Sequence, residues 1–577
     1  MRRIKLIMHL LILIGSLSGV RAQWLPDPWT TMSLMSSLMD LGIELEDVDI
    51  LELIETVVEN EPGDSIGNKY YYNQDLSMQF MLTMGRVLEK KAGYSKDEVV
   101  YPGSPWQSRF RAAVKGRNFC FYSLAESDPG ESMIPFTDHQ TAGLEIEPIR
   151  QELKLVFGDY SLDHGLGLLF STRLAFFGWN MDPHLLVFRA RGIKANSTSN
   201  EDRFLRGGGI EWKKKGWKLT GFFSDKRIDA LVDKGNLLKF QGSGYHRTKT
   251  EIERVGQADE QAEGMLIEYR TDGMQVGGGC VELKYFEEKV FRLGGFTKIK
   301  IPGGMFFGEM SICDTSGLAT CLGLSYFGSD RHRFMFFFQN AGSAYFKRYT
   351  SLDGSDQLFT DKICLRVNYQ FHLRKKWILH SDWMIKESSW WRQGLTRPIQ
   401  DYSFRLGLSK KQYDDYQTDF RITLKGREMS ALARYRKELD TGSLFLIYEL
   451  GAASDLSIKP SEMHGYYVAC DLGGKLTNID LTYRTGVLIH SMGPDSPLMY
   501  RYEPDLYYQM SIPVLSGNGY RAYLCLRWRI SEQLSFECKL NRYYYLDRSV
   551  LGSGAEKIDS PHRSLFRFQV LFRPGVS

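Results

Sequence analysis

The sequence has no uninterrupted apolar run of about 18 residues beyond its first segment, so no transmembrane helix is expected. It also has no excess of charge of one sign, because 73 Lys and Arg face 69 Asp and Glu and leave a net charge of +4. That balance implies no global electrostatic partner. Its eight cysteines lack metal-finger spacing, and neither a metal site nor another cofactor is expected.

What the sequence does contain is an alternating pattern with many aromatic residues. From Ile363 to Leu373 every second residue is apolar, and the positions between carry Cys, Arg, Asn, Gln and His. After a basic turn at 374–376, Trp383 lies on the apolar face and Asp382 on the polar face. Such strands are typical of a barrel with lipid outside and water inside. The sequence therefore predicts an all-β fold, a transmembrane antiparallel outer-membrane β-barrel.

The predicted barrel has about 24 strands, an even number that leaves both chain ends on one side. It begins at Leu76 and closes with a strand in which Phe566, Phe568 and Phe572 alternate with polar residues. Short turns are expected near 114–118, 148–151, 213–217, 270–274, 373–376 and 529–533. Long connections, which belong outside the cell in such barrels, are expected near 90–105, 160–205, 226–262, 341–361, 488–518 and 544–563.

The residues before the barrel divide into two segments. Residues 1–22 have a basic start, an apolar core and a small-residue exit at Ala22, as a signal peptide does. Residues 23–75 form an acidic periplasmic lead with one amphipathic helix, for which Asp49 is a capping residue. We expect residues 44–61 to dock on the barrel mouth or on a periplasmic partner. The barrel then occupies residues 76–577.

The alternation also tests which cysteines can pair. Cys525 shares a face with Arg521, whereas Cys538 shares one with Phe536 and Leu540, so these two thiols point to opposite sides. Cys313 and Cys321 share a face across a turn, which leaves a disulfide open. Free thiols that fill space within strands are the preferred interpretation for all eight.

Two loops and one turn carry a family resemblance. They read Gly-Asp-Tyr-Ser-Leu-Asp-His-Gly-Leu-Gly at 158–167 with a continuation at 189–201, Ser-Gly-Tyr-His-Arg-Thr at 243–248, and Glu-Ser-Asp-Pro-Gly-Glu at 126–131. The chain resembles outer-membrane barrel proteins of Bacteroidota that are named for helix-hairpin-helix repeats. The repeats themselves are missing here, since only the helix at 46–59 remains ahead of the barrel. Nucleic-acid binding is therefore not expected.

The same loops contain the candidate site residues. An arginine cluster at the mouth could bind anionic sugars, lipid phosphates or carboxylates, or it could pair with acidic side chains and pin the loops into the lumen. The pinned arrangement is the preferred interpretation. Asp159, Asp163 and His164, with Ser171, are also the ingredients of a hydrolase. The candidates for a ligand site or a loop plug are Asp159, Asp163, His164, Arg189, Arg191, Arg203, Arg206, His246 and Arg247.

Three functions follow from these observations. The first is a transport or translocation channel in which loops 160–205 and 226–262 fold inward as a constriction, because a barrel of this size must be either open or plugged. The second is a non-conducting barrel for surface binding or envelope assembly. The third is a barrel-borne lipid hydrolase. The expected partners are outer-membrane lipid, lipopolysaccharide and the barrel-assembly machinery.

Overall fold

The computed structural model describes residues 76–95, 100–131, 134, 136–173, 190–286, 288–329, 331–352, 359–373, 377–387, 400–410, 416–425, 428–440, 444–456, 464–494 and 496–574. The predicted signal peptide, the acidic lead and its helix lie outside these residues. Within them, no helix is long and apolar enough to cross a membrane.

Most of the described chain is β-strand, and very little of it is helix. The strands are β1 (Leu76–Val87), β2 (Gln107–Gly116), β3 (Phe119–Ser127), β4 (His139–Ile149), β5 (Leu153–Asp163), β6 (Gly192–Ala195), β7 (Leu205–Lys214), β8 (Trp217–Ile228), β9 (Ala230–Asp233), β10 (Asn236–Phe240), β11 (Ala258–Arg270), β12 (Met274–Tyr285), β13 (Glu288–Ile301), β14 (Gly304–Cys313), β15 (Leu318–Tyr326), β16 (His332–Phe346), β17 (Phe359–Leu373), β18 (Trp377–Glu387), β19 (Gln400–Lys410), β20 (Tyr416–Lys425), β21 (Glu428–Asp440), β22 (Leu444–Asp455), β23 (His464–Leu476), β24 (Leu481–Met492), β25 (Met499–Tyr500), β26 (Val514–Leu515), β27 (Asn518–Arg529), β28 (Leu534–Tyr545) and β29 (His562–Phe572). One short helix, α1 (Lys249–Ile252), and two 3₁₀ turns at 477–479 and 554–556 complete the described elements.

Twenty-four of these strands form a closed antiparallel barrel. Closure occurs at β1, where Phe80 is paired with Ala112 of β2 on one side and with Phe572 of β29 on the other. The short strand β6 adds to the end of β5. Two further pairs, β9 with β10 and β25 with β26, form small sheets that are separate from the barrel sheet. The predicted fold class and strand number are confirmed.

The two ends of the barrel differ in the length of their connections. At one end every turn has two to five residues, from 117–118 between β2 and β3 to 530–533 between β27 and β28. The opposite end, which we call the long-loop end, carries short connections after β12, β14 and β20 and longer ones at 88–106, 128–138, 164–204, 229–257, 347–358, 388–399, 456–463, 493–517 and 546–561. All six long connections expected from the sequence lie there.

The strand faces divide as the alternation predicts. On β18 the Trp383 side chain points outward and is 56% exposed. Its neighbour Asp382 points into the barrel, where it lies 2.7 Å from Nε of Arg366 on β17 in a buried ion pair. An apolar exterior and a charged interior reverse the arrangement of a water-soluble sandwich. The alternation therefore identifies which face of β17 and β18 points into the barrel.

The cysteines are free thiols, as preferred from the sequence. Cys321 of β15 lies opposite Glu309 in the register, so it is displaced along the hairpin from Cys313 of β14. Cys525 is buried inside the barrel, while Cys538 is opposite Leu526 on the outward face. The predicted separation of these two thiols is confirmed.

Candidate functional site: two loops inside the barrel

The first loop that enters the barrel follows β5 and comprises residues 164–173, which we call the first plug. Leu168, Leu169 and Phe170 are all 0% exposed. The Phe170 ring packs 4.8 Å from that of Phe222 and 5.3 Å from that of Tyr349, measured between centroids. The first plug therefore has an apolar core of its own inside a polar lumen.

Two glycines allow the first plug to turn inward. Gly165 and Gly167 adopt φ angles of +60° and +88°, which non-glycine residues rarely adopt. A Cβ atom on Gly165 would lie 2.8 Å from the Phe296 ring, and one on Gly167 would lie 2.8 Å from Cβ of Ser351. Glycine is therefore required at both positions, by its φ angle and by the close approach of neighbouring atoms.

Buried charges of the wall hold the backbone of the first plug. Glu309 on β14 accepts hydrogen bonds from the amides of Leu166 and Leu169, at 2.5 and 2.7 Å. On β13, Nη1 of Arg292 donates to the carbonyl of Leu169 at 3.0 Å, and Nη2 donates to that of Arg348 at 2.5 Å. These charged groups satisfy peptide groups that burial would otherwise leave unpaired.

Residues 347–352, which follow β16, pack against the first plug. The Ser351 amide donates to the carbonyl of Gly167 at 2.7 Å, and the Ser171 amide donates to that of Tyr349 at 2.8 Å. Arg348 in the same segment pairs with Asp202 at 2.6 Å and with Glu260 of β11 at 2.8 Å. The first plug is thus fixed from several sides.

The predicted site residues of the first long loop are engaged with one another or with the wall. Asp163 lies 2.7 Å from Nε of Arg173 and 3.4 Å from Nε of Arg191. Arg206 pairs with Asp159, its cross-strand neighbour, at 2.7 Å. Guanidinium nitrogens of Arg203 donate to main-chain carbonyls, including that of Thr350 at 2.7 Å. Arg189 lies outside the described residues.

The proposed hydrolase group does not form a relay in this arrangement. Ser171 Oγ donates to Asp163 at 2.9 Å, whereas His164 Nδ1 lies 3.1 Å from Glu268. All of these side chains are buried in the first plug and the wall around it. A nucleophile needs an activating base and access to substrate; here Ser171 bonds to Asp163 and not to His164, and its side chain is buried.

The second loop predicted to enter the lumen packs at the long-loop end. Residues 229–257 form the β9–β10 hairpin and α1, and Phe240 of β10 packs 5.9 Å from the ring of Tyr285 and 6.3 Å from that of Phe346. Those two residues end β12 and β16 at the long-loop end. Phe240 belongs to the same buried apolar core as Leu168 and Phe170, and the expectation that 226–262 contributes to the constriction stays a prediction.

Another of the long connections expected from the sequence, 488–518, enters the lumen, although it was not assigned to the constriction from the sequence. Residues 499–511 form a finger, which we call the second plug. An antiparallel bridge joins Glu503 to Ser511 within it. At its base, β25 pairs with β26, which follows the finger at Val514–Leu515. Arg501 Nη2 lies 2.8 Å from Asp471 on β23, and its Nε lies 3.2 Å from Glu449 on β22. The sequence contains one signal for this finger, a charged side chain at every second position, 501, 503 and 505.

The finger descends along β28. Glu503 Oε1 lies 2.8 Å from Nζ of Lys539, and Asp505 Oδ2 lies 3.0 Å from the same Nζ. Further down, the Tyr507 amide donates to Glu537 at 2.7 Å. Because β28 runs from the short-turn end to the long-loop end, these contacts show that the finger reaches toward the short-turn end.

At the rim, His246 joins its own connection, 229–257, to the connection at 128–138. Its Nδ1 lies 3.0 Å from Asp138, and its Nε2 lies 2.6 Å from Asp229. Burial lowers the pKa of His246, but hydrogen bonds to the two carboxylates outweigh burial and raise the pKa to about 11. Glu131 accepts the backbone amide of His246 at 3.0 Å, and burial followed by repulsion from Asp128 raises the pKa of Glu131 to about 8. We call Glu131, Asp138, Asp229 and His246 the mouth cluster.

The mouth cluster also contains groups able to hold a metal ion. Ligand atoms of Glu131, Asp138 and His246 lie within 4.8 Å of one another. No local spacing reveals this group, since His246 is 108 residues from Asp138. Arg247 beside it stacks 3.7 Å from the ring centre of Tyr245 and lies 3.7 Å from Glu251 and 3.6 Å from Glu556.

The first long loop also meets the 243–248 turn. A Cβ atom on Gly244 would lie 2.9 Å from Cδ of Glu201, so the two loops touch there. Arg191 and Arg206 of the first long loop are bound to Asp163 and Asp159.

Comparisons with known proteins concern the fold. No family model and no curated protein matches the chain, and the resemblance to Bacteroidota barrels stays a prediction. Similar solved structures include the siderophore receptor PirA from Acinetobacter baumannii, at 7% identity over 87% of this chain and 81% of that chain with a TM-score of 0.43. Another is the translocation pore of the P pilus usher PapC, at 8% identity, 87% and 99% coverage and a TM-score of 0.37. The ferripyoverdine receptor of the Pseudomonas aeruginosa outer membrane is 10% identical, with 86% and 72% coverage and a TM-score of 0.37. These neighbours are outer-membrane barrels, and the likeness extends no further than the barrel.

Proposed function

We propose that this chain is an outer-membrane barrel for transport or translocation, closed at rest by its two plugs, with the second plug as the movable gate. The apolar exterior supports a bilayer location, because a closed barrel satisfies all of its strand hydrogen bonds without water. Long loops then face the outside and short turns the periplasm. Lipid and lipopolysaccharide contact the outer face, and the assembly machinery acts on the closing strand β29.

The observation that carries the proposal is the charged interface of the second plug. Arg501, Glu503 and Asp505 each pair with opposite charges on the wall. When the finger and the wall separate, the charged groups on both surfaces become hydrated. The free-energy cost is small because the desolvation penalty of buried ions largely cancels their attraction. A barrel of this strand number encloses more volume than its wall side chains fill, so withdrawal of the finger would leave a passage.

A non-conducting surface-binding or assembly barrel is the second candidate. The apolar core of the first plug favours it, because Leu168, Leu169 and Phe170 would face water if this loop left the lumen. The proposal requires only the second plug to move. A lipid hydrolase is not supported, given the separate partners of Ser171 and His164.

Planar-bilayer recording tests the proposal. Wild-type protein should give rare, brief openings, and replacement of residues 501–510 by a flexible Gly–Ser linker should give a steady conductance. The matched control replaces residues 234–239, the tip of the rim hairpin β9–β10, by a linker of equal flexibility and should conduct as wild type does. A finger deletion that folds and remains silent would favour the non-conducting barrel.

A further inference from the structure

Three cations on adjacent strands line the wall beside the second plug. Arg521 is on β27, Lys539 on β28 and Arg567 on β29, and we call them the cationic strip. Glu503 pairs with Arg521 and with Lys539. Asp505 pairs with Lys539 and lies 2.9 Å from Nη1 of Arg567. The finger therefore presents two carboxylates to three cations.

The finger does not use all of the donors in the cationic strip. The Arg521 side chain is 3% exposed, and its guanidinium carbon lies 3.6 Å from the ring centre of Tyr543. Within the described chain, neither Nη1 nor Nη2 of Arg521 has a hydrogen-bond partner. Buried donors without acceptors cost free energy, and a guanidinium fork is well shaped for a carboxylate. These atoms indicate a ligand with more acceptors than the finger supplies.

We propose that the cationic strip binds a small solute with several carboxylate groups, and that Glu503 and Asp505 occupy this site as an internal competitor while the barrel is closed. The inference rests on the proposed transport function and names its class of solute. A tricarboxylate matches the three cations in charge and gives the Arg521 fork an acceptor. Because solute and finger use the same cations, binding displaces the finger, and the solute opens its own path.

Equilibrium dialysis of radiolabelled citrate against the full chain in detergent micelles tests the site. Removal of an internal competitor raises the apparent affinity of the ligand that it excludes. The double variant Glu503→Gln/Asp505→Asn should therefore bind citrate more tightly than wild type, by about tenfold or more. Adding Arg567→Gln to the double variant should weaken citrate binding by about tenfold. Arg366→Gln, which removes an inward arginine paired with wall residue Asp382, is the matched control and should leave citrate binding unchanged.

Arg567 is chosen for the loss-of-binding variant because its side chain is 24% exposed, so its removal disturbs folding less than removal of Arg521. Heat-modifiable migration verifies that each variant is folded. Equal citrate binding by wild type and the double variant would overturn the inference, as would full citrate binding after Arg567→Gln. If acetate competes as strongly as citrate at matched ionic strength, the effect is only ionic screening. That result would also overturn the inference. Inorganic pyrophosphate serves as the second probe, and stronger competition by pyrophosphate than by unlabelled citrate would overturn the carboxylate assignment.

Conductance separates this inference from the proposed function. If the double variant binds citrate and the finger deletion is silent, the transport function fails and the anion site stands. If the finger deletion conducts and the double variant shows no citrate binding, the anion site fails and the transport function stands.

Discussion

The first plug and the second plug both fold from the long-loop end into the lumen, but apolar burial and ion pairs contribute to their contacts in different proportions. The first plug buries Leu168, Leu169 and Phe170, Glu309 and Arg292 of the wall bond to its backbone, and its Arg173 pairs with Asp163. The second plug buries Met499 and Leu506 and pairs three charged side chains with charges of the opposite sign on the wall.

This difference indicates which plug can leave the lumen at the lower cost in free energy. Exposing a buried Leu or Phe side chain costs about 1.5–3 kcal/mol, so withdrawal of the first plug would carry several such costs together. Separated ions regain water, and the net free energy of a buried ion pair is small compared with either its attraction or its desolvation. We expect the first plug to stabilise the barrel and the second plug to control passage.

Loss of the Phe170 ring should give the largest effect on stability. Phe170→Ala leaves a cavity between Phe222 and Tyr349, and truncation of a buried aromatic residue costs about 3–5 kcal/mol. Urea unfolding followed by heat-modifiable migration measures the change. Leu540→Ala, on the outward face of β28, is the control. An equal loss in both variants would mean that the first plug adds no stability to the wall.

Glu309→Gln should have an intermediate effect. The amide side chain offers one acceptor where the carboxylate accepts from both Leu166 and Leu169, and a buried amide left unpaired costs about 1–3 kcal/mol. The free energy of unfolding should fall by that amount, with no new conductance. Glu282→Gln, which removes an outer pair with the well-exposed Lys289, should change it far less. Open channels in Glu309→Gln would show that the first plug is also a gate.

Neutralising the finger should change stability little and conductance most. In Glu503→Gln/Asp505→Asn the finger leaves the lumen and the wall cations regain water, so we expect a loss of unfolding free energy of about 1 kcal/mol or less. Trypsin cleavage after Arg501, which is 4% exposed in the closed barrel, should accelerate together with the conductance. Glu532→Gln in an exposed short turn is the control. Persistent protection of Arg501 would mean that packing, not charge, holds the finger.

The mouth cluster should give the smallest effect, and that effect depends on pH. The pKa of Glu131 is raised to about 8, so the folded rim favours its protonated form. That contribution to stability is fully present below the ordinary pKa of a glutamic acid and is lost as pH rises through about 8. His246, with a pKa raised to about 11, keeps its charge throughout this window.

Cleavage after Arg247 by trypsin, normalised to a free peptide at each pH, reports on the rim. It should increase as pH passes about 8 in wild type and lose this step in Glu131→Gln. Because the finger lies elsewhere, cleavage after Arg501 should not follow the same step. A shared transition at both sites would join the rim and the finger into one moving unit.

The sequence by itself determined the wall. Alternation at 363–373 sets which side chains of β17 face outward, because the period of a strand is a local property. It also predicted the separation of Cys525 from Cys538, and the sequence placed the long connections. The Asp159–Arg206 pair lies within reach of the same reasoning, since these residues are cross-strand neighbours on β5 and β7.

Only the tertiary structure decided what fills the lumen. Loops 229–257 and 493–517 are both long and mixed in charge, and the sequence does not say that 493–517 supplies a finger along β28. The choice depends on acceptors and donors that distant strands present at one depth, such as Lys539 for Glu503 or, at the first plug, Glu309 for Leu166, which is 143 residues away. Such pairs form only after the barrel has closed, since closure brings strands that are far apart in sequence around one lumen.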